Sequence, residues 1–165
     1  MELARAYRAE RAPVANAFRV WQQPAKHALR AARVKLAWEA AGGEVVDEYT
    51  ARRSGLHEPE EGDSRVRLVL KGDDDPSSAL DGDFSERDRK ELAERANRDG
   101  VWGVCGQFWN GRDWEEVDSC WGFIGDDWKG SGYDVDIMDA VLDALEVHDA
   151  ALADAMEAAR PDLYA

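Results

Sequence analysis

Asp126, Asp127, Asp134 and Asp136 place four carboxylates within eleven residues, at the end of the stretch "WEEVDSCWGFIGDDWKGSGYD" and just beyond it. Hard divalent cations take several carboxylate oxygens at once, so a metal-dependent reaction would be built here if anywhere. The spacing matches no calcium loop, because the regular alternation of ligands and the closing bidentate Glu are both missing. Turn and helix-cap duties are the simpler expectation for all four. The acidic loop "DDDPSSALDGD" fails the same test and reads as a solvated connection.

Glu115 with Glu116, or Asp118 with Asp126, would suit general acid and base work only if both members shared a cleft that separated their pKa values. Adjacent strand residues point to opposite faces, which speaks against the first pair. Cys105 and Cys120 form neither a disulfide framework nor a zinc spacing. No His lies near either in sequence to activate it, so both are expected as reduced, packed thiols. His27, His57 and His148 show no ligand spacing, and there is no phosphate loop, nucleophile elbow or dinucleotide fingerprint. No catalytic residue, metal or cofactor is assigned.

Charge is the stronger signal. The 165 residues carry a net −14, and the charge is divided along the chain. Residues 1–41 hold 8 Lys or Arg against 3 acids, a net +5, and the remainder carries −19. Such an acidic surface repels phosphate and anionic lipid, so direct binding of nucleic acid or membrane is not expected; basic proteins and cations are the natural partners. A GC-rich coding source or salt adaptation also yields an acidic composition. The opening "MELARAYRAERAP" has no continuous apolar stretch, so the chain reads as cytoplasmic and its thiols as reduced.

The elements that must position these groups follow from periodicity. A helix-rich first third is interrupted by Pro13 and Pro24, with a break near "WQQP". From Pro24 a helix with Leu29, Ala32, Leu36 and Ala40 as its core face runs to Gly42-Gly43. Two β-type runs follow, "EVVDEYT" at 44–50 and "RVRLVLK" at 65–71, the second with Val66, Leu68 and Leu70 turned inward. Ser85 caps a solvated helix that Gly100 ends. Around "NGRD" the run from Val101 reads as a hairpin that sets Trp109 opposite Trp114, Trp102 opposite Trp121 and Cys105 opposite Asp118. Trp102, Val104, Phe108, Val117, Trp121 and Phe123 would then form its core face, with both cysteines on the other face. The last helix carries Met138, Val141, Leu142, Leu145, Leu152 and Met156 along one side and Asp136, Asp139, Asp143, Glu146, Asp154 and Glu157 along the other.

These elements make one α+β domain over 1–165. Its expected order is α-α-β-β-α-β-β-α, with a four-stranded, largely antiparallel sheet and helices packed on one face.

The segment "WEEVDSCWGFIGDDWKGSGYDVDIMDAVLDAL" resembles small uncharacterised proteins of phages, plasmids and other mobile elements from GC-rich hosts. The resemblance runs from "GVWGV" onward. It implies a setting in which small proteins interfere with host machinery, as anti-restriction and anti-CRISPR inhibitors do, some as acidic DNA mimics; it transfers no catalytic residue. The expected function is therefore inhibition or modulation of a host nucleic-acid-handling protein through its basic groove. Asp136, Asp139, Asp143 and Glu146 would form an anionic strip, and Trp109, Trp114 and Trp128 an apolar anchor. The rival expectations are a small metal-dependent enzyme using the Asp126–Asp136 loop and a salt-adapted structural accessory protein.

Overall fold

The computed structural model describes residues 26–158 apart from 56 and 61. The expected helix break near "WQQP" lies outside these residues. Contacts divide the chain into two units, Met1–Val34 and Lys35–Ala165, and every strand belongs to the second.

Helix α1 spans residues 26–40 and stops where expected, at Gly42, whose φ of 72° suits a residue without a Cβ. The helical period was legible but the face was not. Val34 and Trp38 are buried, whereas Leu29 and Leu36 are about two-thirds exposed. Gly43 lies directly under the Trp38 indole, in a space that a Cβ would fill.

Strand β1 (Glu44–Asp47) is shorter than the 44–50 run suggested. Asp47 turns its carboxylate onto the Thr50 amide at 2.7 Å and caps helix α2 (Glu48–Ser54). Glu48 in the first turn and Arg52 and Arg53 in the last complement the helix dipole. Capping chemistry therefore outweighs the β propensity of Val45 and Val46 after four residues. Because α2 carries the chain back, β1 pairs parallel with β2 (Val66–Gly72), Val45 opposite Leu68.

A 3-10 turn (Pro76–Leu80) leads to α3 (Glu86–Asp99). Ser85 accepts from the Asp88 amide, Gly100 closes the helix, and no α3 residue is buried, all as read from the sequence. Strands β3 (Val101–Trp109) and β4 (Trp114–Ile124) complete a four-stranded sheet of order β1-β2-β3-β4, antiparallel except for its first pair. The class is α+β with a largely antiparallel sheet. The hairpin turns on Asn110, whose side-chain oxygen accepts from the Arg112 and Asp113 amides, with Gly111 at φ 92°.

The hairpin register begins as expected, with Trp109 opposite Trp114, and then shifts twice. An extra β4 residue enters near Val117 and another near Trp121, so Trp102 faces Phe123 and Cys105 faces Ser119. Val104 faces Cys120, which puts the two cysteines on opposite sheet faces rather than on one; both are free thiols. The bulges also expel part of the expected core. Trp121 is 43% exposed, lying over Gly103, and Trp102 and Val117 are about a third exposed. Trp121→Ala is accordingly expected to cost only about 1–2 kcal/mol, well short of the 3–5 typical of a buried aromatic. Thermal unfolding of this variant beside Trp128→Ala checks the assignment, since Trp128 is buried.

Helix α4 (Tyr133–Ala158) packs Ile137 and Val141 against the face made by Leu68, Val104 and Gly106. To this, α2 adds a cover on the opposite face, where Ala51, Val69 and Cys105 form a second small core. Arg67, expected on a solvent face, is thereby buried. At about 39 Å the 26-residue α4 outruns the roughly 30 Å of β3. Leu152 and Met156, expected in the core stripe, therefore stay half exposed.

Candidate functional site

The four carboxylates between Asp126 and Asp136 serve separate ends. Asp126 pairs with Lys129 at 2.9 Å, and Asp127 receives Arg95 Nη2 on both oxygens at 2.9 Å. Asp134 is buried and accepts from the Gly130 and Gly132 amides at 3.1 and 3.2 Å, which orders the turn into α4. Lys35 approaches the same carboxylate at 3.9 Å. Asp136, two residues on, is exposed and is engaged elsewhere within the chain. Among the described residues no three His, Cys, Asp or Glu side chains are grouped to hold a metal.

The other reactive types are equally dispersed. Glu116 bonds Lys71 Nζ at 2.8 Å, and Glu115 meets Asn110 Nδ2 at 3.3 Å. Burial pushes the Cys105 thiol up to about 11 and raises that of Cys120, which disfavours the nucleophilic thiolate at both. His148 lies against the Phe108 ring at 5.7 Å and beside Asp149; His27 and His57 are exposed.

Asp149 belongs to an ion pair that ties α4 to the start of β2, with both Arg65 Nη atoms on its carboxylate at 3.0 and 2.9 Å. The Arg65 hydrogen bonds hold its pKa below the ordinary carboxylate value. A depressed native pKa contributes stability above the unfolded value that is lost as pH falls through the native one. Partial exposure and solvent screening keep the contribution small. Arg65→Gln should flatten this part of the acid response in a pH series of unfolding midpoints; an unchanged acid slope would show the pair to be inconsequential.

Of the three tryptophans expected as an anchor, two are packed inside and one stays partly exposed. Trp109 and Trp128 are buried, and Trp114 is half buried, edge-on to Trp109 at 5.8 Å with the Arg67 guanidinium 3.8 Å above its ring. The Nε1 atoms of Trp109 and Trp114 are buried with no partner among the described residues. The bulges expose Trp102 and Trp121 instead. Gly122, at φ 87° beside Trp121, was a local signal for the second bulge.

The acidic strip survives folding in a changed form. Asp136, Asp143 and Glu146 are exposed and Asp139 is half buried, and Asp136 and Asp139 both have interactions within the chain. Asp154 and Glu157 continue the line and are exposed. At 100° per residue these six carboxylates fall within about 80° of arc, opposite the face buried by Ile137, Met138 and Val141, and extend over about 32 Å. No helix among the described residues is long and apolar enough to cross a membrane. No protein-family model, curated protein or solved structure matches the chain.

Proposed function

We propose that the chain binds a host nucleic-acid-handling protein and inhibits or modulates it, with the acidic strip of α4 occupying a basic groove in place of phosphates. The alignment of six carboxylates on the face of α4 turned away from the sheet carries this reading. Three- and four-residue steps give about 4.5–6 Å along the axis between successive acids from Asp136 to Glu146 and from Asp154 to Glu157, with a gap of about 12 Å between the two groups, against about 3.4 Å per phosphate in one strand of duplex DNA. Like charges at these steps cost the helix a few tenths of a kcal/mol per pair, so helix stability does not account for them. The resemblance to mobile-element proteins supports an inhibitor of the anti-restriction or anti-CRISPR type.

The test is capture of partners from a host lysate followed by competition with duplex DNA. Recovery of a nuclease or another nucleic-acid-binding protein that DNA displaces is the expected result. A captured protein that DNA cannot displace, or no captured protein at all, would reject mimicry.

A further inference from the structure

Past Asp149, the last turns of α4, the 58–63 loop and the hairpin turn enclose an open cavity of about 560 Å³. Its wall is apolar, formed by the buried Trp109 and the half-exposed Leu152 and Met156, one helical turn apart. Its rim is acidic. Glu58, Glu60 and Asp63 line it, and among the described residues no cation pairs with any of them. Asp149, at one end, is already neutralised by Arg65. An occupant must therefore bring apolar side chains flanked by Lys or Arg; an acidic or phosphorylated segment would meet uncompensated like charge.

The chain itself carries such a segment. On the outer face of α1, opposite the buried Val34 and Trp38, Leu29 and Leu36 are about two-thirds exposed, two turns apart. Exposed Arg33 lies between them, and Lys26 flanks the same face. The helix sits in the basic part of the sequence, residues 1–41 at +5, and the cavity in the acidic part. Two large leucines exposed on one helix face ask for a partner surface, and a helix seated by its apolar face in a groove is a recurrent solution. We propose that the outer face of α1 from a second copy of this chain, led by Leu29, Arg33 and Leu36, docks in the Leu152–Met156 groove. Each copy offers both a helix and a groove, so the contact is complementary and can be reciprocal in a two-fold dimer. It is independent of the acidic strip that serves the proposed partner.

Sedimentation velocity of the full chain over a concentration series, at low and high salt, tests this. Self-association that weakens with salt is expected. Leu29→Asp/Leu36→Asp and Leu152→Asp/Met156→Asp should each weaken it by roughly tenfold or more. Mixing the two variants should restore association, because the intact helix of one meets the intact groove of the other. All four positions are exposed, and circular dichroism checks the fold. If either variant misfolds, the milder Leu29→Ala/Leu36→Ala and Leu152→Ala/Met156→Ala pairs in the full chain, followed by the same sedimentation series, decide instead. A chain monomeric throughout, or a dimer indifferent to the helix and groove variants, would overturn the proposal.

Discussion

Replacing Gly106 by Val is expected to destabilise the fold by about 3 kcal/mol or more. Gly106 lies at the centre of β3, where α4 crosses closest to the sheet. A Cβ there would stand 2.6 Å from Val141 Cγ2 and closer still to Ile137 Cγ2. Both contacts are methyls of β-branched side chains, whose χ1 freedom in a helix is small, so neither can swing away. Ile137 and Val141 are themselves fully packed, so relief requires α4 to lift from the strand. Urea unfolding measures the loss. Pairing the milder Gly106→Ala with Val141→Ala should cost less than the sum of the two singles, since the cavity made by one accommodates the methyl added by the other. Additive costs would mean that Gly106 and Val141 do not share this contact.

Arg67→Ala should cost about 2–4 kcal/mol, because it removes a buried side chain packed on Trp114 and takes the donor from the part-buried Gln107 Oε1. The side chain is 2% exposed near the start of β2, on the face that α2 covers. Its Nε donates to Gln107 Oε1 at 3.0 Å, Nη1 to Ser54 Oγ at 2.8 Å and Nη2 to the Ala51 carbonyl at 3.4 Å, while the guanidinium plane lies on Trp114. Burial lowers its pKa to about 10, with Glu44 opposing the shift, so it remains charged at neutral pH. These hydrogen bonds and the ring offset the cost of desolvating that charge. Arg67→Lys retains the charge but loses the planar fork, and should recover only part of the stability. A lysine variant as stable as wild type in thermal unfolding would show that the fork geometry contributes nothing.

Arg67 also shows where sequence reading stops. Val66, Leu68 and Leu70 announced an inward face by simple alternation, and the Asn110-Gly111 turn fixed the start of the hairpin register, because both signals are local. The burial of Arg67 depends on α2 crossing behind the strand, and α2 depends on Asp47 capping rather than extending, a competition settled by a single side chain. Trp121 was read into the core on an unbroken two-residue period; one extra residue on either side of Val104 in the β3–β4 ladder was enough to expose it. Along α4 the separation of acidic and apolar faces was legible from spacing alone. How far the sheet reaches beneath the helix was not, and so Leu152 and Met156 emerged as a groove wall. The groove joins α4 to the 58–63 loop and to the hairpin turn, and no sequence period reports such a meeting.

The measurement that bears most directly on the acidic strip is the affinity of a captured partner for two chains, wild type and Asp143→Asn/Glu146→Gln/Asp154→Asn/Glu157→Gln, across a salt series. These four side chains are exposed on the outer face of α4, so the fold should be retained. Exposed charges attract over about 8 Å at physiological ionic strength and less as salt rises. The account predicts that the variant binds at least roughly tenfold more weakly at low salt and that its affinity changes far less with salt than that of the wild type. Equal affinity and equal salt response in the folded variant would contradict it.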